Sequence, residues 1–150
     1  MSPKEYLCKW ICSDLSKPYK TLNNLAVCPF AKPALETNKL DFVNVDVQTF
    51  PLTVDLSNLD AVIFIFQTQV SCEELYSLAI QFNNNNPDLV ALEDHPDESE
   101  ILEKIIFNNG KYPIIIVQSR QKLEKYRNSL RKKGYYANWP KEMLEDLLNR

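Results

Sequence analysis

The sequence predicts an α/β fold: a four-stranded mixed sheet sandwiched by helices, in a single domain with an N-terminal helix. Three observations carry this. The runs Asp60–Gln67 (DAVIFIFQ) and Tyr112–Gln118 (YPIIIVQ) are continuously apolar and rich in β-branched residues, the composition of strands buried on both faces. Leu40–Val47 alternates apolar and polar residues, and Asp88–Glu93 is a further short apolar segment, so both read as strands. Around them lie stretches with apolar residues at helical spacing, and such alternation of helix and strand is the mark of layered α/β architecture.

Each element has its own local reason. Tyr6, Leu7, Trp10, Ile11 and Leu15 recur at helical spacing behind Ser2 as N-cap and Pro3 in the first turn, predicting a helix over Pro3–Leu15. Ser16–Asn24 is a polar connection, and Ala31–Thr37 adds a short helix. Asp60–Gln67 is expected at the centre of the sheet. Ser71, with Glu74 three residues on, opens a helix carrying Leu75, Leu78, Ala79 and Phe82, which ends in the Asn83–Asn86 run before Pro87. Glu98–Phe107 is amphipathic at helical spacing and is followed by Asn108, Asn109 and Gly110, suited to a left-handed C-cap. Ser119 caps a helix reaching about Lys132, stopped by Gly134, and Trp139–Leu148 forms a last short helix with Pro140 in its first turn. Helices as crossovers place the second, third and fourth strands parallel, with the first antiparallel at an edge.

Composition narrows the function. At 150 residues the chain is long enough to bury roughly two-thirds of its unfolded surface without disulfide or metal. Only two glycines, Gly110 and Gly134, are present, and they are far apart, which excludes a P-loop and a dinucleotide-binding fingerprint. A net charge of −3 gives no general attraction to nucleic acid, and the basic segment Arg120–Lys133 is expected to be a solvated helix face. No run approaches a membrane span, and the charged N-terminus lacks the apolar core of a signal peptide. A cytoplasmic protein with four reduced cysteines is therefore expected. Cys8 and Cys12, four apart on one helix face, are expected to pack.

The chemistry is measured from Cys28, in LNNLAVCPFAK. A Cys-Pro junction ahead of a helix leaves free backbone N–H groups that favour a thiolate, while the same position also suits a buried cysteine packing as a small hydrophobe. His95 is the one histidine of the sequence, so any imidazole base or ligand is this residue. In α/β sheets sites form beyond the carboxyl ends of strands, which favours His95, Asp97, Ser119 and Arg120. A Cys28–His95 pair would be nucleophile and base with Asp94 or Asp97 orienting the ring, and Arg120 with Ser119 at a helix start would bind an anionic group. Cys28, His95 and Asp97 alternatively offer sulfur, nitrogen and oxygen ligands for zinc or non-haem iron. Tyr135, Tyr136 and Trp139 form an aromatic cluster that either covers the core or lines a pocket.

Trp10, the CPFAK segment Cys28–Lys32, His95-Pro96-Asp97, and Tyr112-Pro113 with Arg120 after it resemble, in this order, an uncharacterised bacterial family of unknown function with CPFAK, FHPD and SPYP boxes. The chain differs from those boxes at Glu93-Asp94 and at Lys111. The resemblance implies that Cys28 and His95 act together, and it adds Lys32 to the candidate substrate-binding groups. The CPFA segment is also similar to the active-site box of omega-type glutathione transferases and chloride-channel-like proteins, where a thioredoxin-fold cysteine opens a helix. That likeness implies glutathione, which stands behind zinc and iron as a cofactor.

Three functions follow as expectations. The first is a thiol-dependent enzyme centred on Cys28 and His95, acting by nucleophilic or redox chemistry on a small anionic substrate. The second is a metalloprotein using Cys28, His95 and Asp97. The third is a protein-binding module presenting Tyr136 and Trp139.

Overall fold

The computed structural model describes residues 1–98, 101–102 and 105–150. Its elements are, in chain order, α1 (Pro3–Ser13), β1 (Pro18–Tyr19), a 3-10 turn (Lys20–Leu22), β2 (Leu25–Ala26), α2 (Ala31–Glu36), β3 (Leu40–Val45), β4 (Ala61–Phe66), α3 (Cys72–Asn85), β5 (Leu89–Asp94), β6 (Ile101–Leu102), β7 (Ile105–Ile106), β8 (Ile114–Ser119), α4 (Arg120–Lys132) and α5 (Lys141–Leu148).

The helix starts are where side-chain chemistry places them. Ser2 and Glu5 cap α1 reciprocally, Ser71 accepts from the Glu74 N–H at the start of α3, and Ser119 accepts from the Lys122 N–H at the start of α4. Asp60–Gln67 yields β4, whose residues Ala61–Phe66 are all buried. The sheet order is β3-β4-β8-β5, so β4 and β8 form its middle and the four strands make a mixed sheet.

Both faces are covered. Val62, Phe64 and Phe66 pack against Leu75, Ala79 and Phe82 of α3, while Ile63, Ile65 and Ile114 on the opposite face pack against Leu7, Trp10 and Ile11 of α1. A third apolar cluster joins Leu22, Val27, Leu102, Ile105, Leu130 and Tyr135. In α1, Cys8 is half-buried and Cys12 is exposed, so the expected packing does not extend to Cys12.

Strand directions differ from those expected. β3 pairs parallel with β4, and β8 runs antiparallel to both of its neighbours, β4 and β5. The reason is the connection between β5 and β8. Where a helix was expected over Glu98–Phe107, Ile101–Leu102 and Ile105–Ile106 pair as antiparallel strands among the described residues, and 99–100 and 103–104 lie outside them. The chain then returns beside β5 in the opposite direction, an antiparallel pairing that needs no crossover helix. The left-handed Gly110 (φ +75) accordingly serves a turn and not a helix end.

This reversal decides which chain ends can share a site. Leu89 pairs with Ser119 and Asp94 with Ile114, so the carboxyl ends of β5 and β8 lie at opposite ends of the sheet. Five residue steps of strand separate them, roughly 17 Å.

Candidate functional site

Val27–Phe30 is pinned from several sides. The Cys28 N–H donates to Leu15 O at 2.9 Å, and the Tyr135 hydroxyl donates to Val27 O. Phe30 stacks on Tyr126 of α4 with ring centroids 4.1 Å apart, fixing the start of α2 against α4. Cys28 is thereby held on the wall of a cavity of about 340 Å³ between the sheet face carrying Ile63 and Ile116 and the helices α4 and α5. The walls are mostly apolar and aromatic, with Trp10, Leu123, Tyr126, Leu130, Met143 and Trp139 among them. An apolar concavity of this size with few polar groups is the usual form of a small-molecule site.

Two opposing influences act on the Cys28 thiol. Burial pushes its pKa up, while the backbone N–H groups of Phe30 and Ala31 hold it down, and burial is the larger effect. The helix-start N–H groups that the sequence suggested are therefore present. The protonated thiol nevertheless dominates at neutral pH.

His95 is elsewhere. Only 5% of it is exposed, and its ring reaches the core on the α3 side of the sheet, where Nε2 lies 2.7 Å from Val70 O. Its Nδ1 accepts the Asp97 backbone N–H at 3.1 Å. A carbonyl can only accept and an amide N–H can only donate, so the ring proton sits on Nε2 and both nitrogens are engaged. His95 does not line the cavity that holds Cys28. The pairing of thiol and imidazole expected from the sequence is thus not formed, because the two side chains serve different faces of the sheet.

The remaining candidates are distributed similarly. The Asp97 side chain is 85% exposed with an oxygen 3.9 Å from His95 Nδ1, so its backbone and not its carboxylate orients the ring. Among the described residues no three His, Cys, Asp or Glu side chains group to hold a metal ion, Cys28, His95 and Asp97 included. Ser119 acts as the α4 cap. Arg120 donates to Pro87 O at 2.8 Å and to Arg150 O at 2.7 Å, with Leu89 O at 3.4 Å, so it ties the end of the chain to the start of β5. Lys32 lies outside the cavity wall and faces Glu36 at 3.9 Å. Tyr136 and Trp139 pack on the third apolar cluster and on each other, their ring centroids 5.4 Å apart.

Arg127 departs from the solvated helix face expected of the basic segment Arg120–Lys133. It is 8% exposed, lines the cavity, and donates from Nη2 to Leu147 O at 2.9 Å, at the end of α5. Burial pulls its pKa down, an effect that Tyr136 opposes. Its signal was present in the sequence. Leu123, Tyr126 and Leu130 define the apolar stripe of α4, and Arg127 falls on that same stripe at helical spacing.

Among the described residues no helix is long and apolar enough to cross a membrane. Comparison with protein-family models, curated proteins and solved structures finds no match to this chain.

Proposed function

We propose that this chain binds a small, largely apolar molecule in the cavity beside Cys28. The observation that carries this reading is the cavity itself: a partly open space of about 340 Å³ bounded mostly by aromatic and aliphatic side chains. A ligand seated there would remove apolar wall from water, which favours an apolar body.

The test is titration with Nile red, a neutral apolar dye. The expected result is saturable binding of one dye per chain, with quenching of Trp10 and Trp139, both of which line the cavity. Ala34→Leu, which fills the wall at a buried α2 position, is expected to weaken binding at least tenfold; Met143→Trp on half-buried α5 serves as the second filling variant. Thermal melts of both variants establish that they fold. Unsaturable dye uptake, or equal affinity in folded filled variants, would sink the reading.

A second reading is favoured by the Phe30 and Ala31 N–H groups at the Cys28 thiol. On it, the bound molecule reacts with Cys28, and His95 takes no part. N-Phenylmaleimide should then label Cys28 with a rate that saturates in reagent concentration, as binding precedes reaction. A strictly linear dependence would remove this second reading and leave the first untouched.

A further inference from the structure

Two donor groups of the cavity wall lack the partners that buried donors ordinarily have. The first is the Arg127 guanidinium, which has five N–H donors, of which one bonds Leu147 O. Among the described residues no carboxylate pairs with it. The second is the Trp139 indole, whose buried Nε1–H has no hydrogen-bond partner among the described residues. Buried cations are normally paired and buried N–H groups normally bonded. Tyr136 connects the two, since its ring meets Trp139 and its phenol feels the Arg127 charge.

The acids of the same wall do not supply the missing partner. Glu93 is paired with Arg150, which also approaches Asp146 at 3.6 Å. Asp60 is paired with Lys122 at 3.0 Å, and Asp94 accepts from both the backbone and the side-chain N–H groups of Asn109. Among the described residues the cavity therefore presents a buried cation with no carboxylate in ion-pair contact, Glu124 acting on it only at longer range, and an unused donor, within mostly apolar walls.

We infer, building on the cavity reading above, that the ligand is an amphipathic monoanion: a carboxylate on an apolar body, its head group received by Arg127 and Trp139. A carboxylate accepts through two oxygens and matches the guanidinium fork, and the apolar body fills the space lined by Leu123, Leu130 and Met143. Arg127 thus takes the anion-binding role that the sequence suggested for Arg120.

The experiment displaces Nile red from the wild-type chain with decanoate, decanol and decylammonium, which share one hydrocarbon body and differ in head-group charge. Decanoate is expected to bind at least tenfold more tightly than decanol, and decylammonium most weakly. Arg127→Met should bring decanoate within about threefold of decanol, each measured against the variant's own Nile red affinity, and Trp139→Phe should reduce the preference in part. Equal displacement by decanoate and decanol, with Nile red still bound, would overturn the anion assignment and leave the cavity reading standing. Failure of Nile red and all three amphiphiles to bind would overturn both. The wild-type comparison decides the matter even where a variant fails to fold.

Discussion

Cys28 shows how one side chain takes its character from competing neighbours. Its place ahead of α2 was legible from the Cys-Pro junction, and the N–H groups of Phe30 and Ala31 do reach the thiol. What the local sequence does not contain is the desolvation contributed by residues distant in the chain, which is the larger effect. With iodoacetamide at neutral pH, exposed Cys12 is therefore expected to alkylate first and Cys28 more slowly, with Cys28 accelerating as pH rises. Peptide mass spectrometry resolves the order. Preferential labelling of Cys28 at neutral pH would show that the N–H groups outweigh burial. Arg127 teaches the converse lesson. A charge on an apolar stripe is a sequence signal, but only the fold reveals that no carboxylate among the described residues pairs with it.

At the level of elements, local chemistry was a good guide wherever a cap or a buried apolar run marked the boundary. The caps Ser2, Ser71 and Ser119 each open the helix they were expected to open. Glu98–Phe107 failed because Ile101, Leu102, Ile105 and Ile106 fit a helical stripe and a pair of short strands equally well, an ambiguity that periodicity cannot resolve. Packing decided it: Leu102 and Ile105 enter the cluster with Leu22 and Leu130. Gly134, which ends α4, permits a sharper prediction. Its φ is +77, and an added Cβ would stand 2.8 Å from Asn23 Nδ2, a group that donates to Lys133 O at 2.6 Å. Gly134→Ala is expected to cost about 1–2 kcal/mol for the backbone alone and more for the displaced Asn23. Gly110→Ala, at φ +75 with no atom within 4 Å of the new Cβ, bears the backbone cost only. Urea unfolding of the two variants checks the ranking, and a larger loss at Gly110 would refute the steric account.

For the molecule as a whole, burial beside the cavity couples folding to pH at the alkaline end. The Cys28 thiol and the Tyr135 phenol are both pushed up by burial, so the folded chain keeps protons that the unfolded chain releases. Their contribution to stability is complete below the ordinary thiol range and is lost as pH rises through and beyond it. Urea midpoints should accordingly fall between pH 7 and pH 10, and Cys28→Ala with Tyr135→Phe should flatten that fall. A midpoint that holds or rises in the wild type would contradict this assignment.

The sequence by itself determined the α/β class, the central strand β4, the helix caps and the placement of Cys28 ahead of a short helix, since each depends on neighbours within a few positions. Tertiary structure alone decided the direction of β8, and with it the separation of His95 from Ser119 and Arg120 at opposite ends of the sheet. It alone placed His95 against Val70, left a cavity beside Cys28 and set Arg127 in its wall. The physical reason is common to all of these. Strand direction, desolvation and the absence of a partner are properties of groups far apart in the chain, and they come into being only when the sheet closes over its two layers of helices.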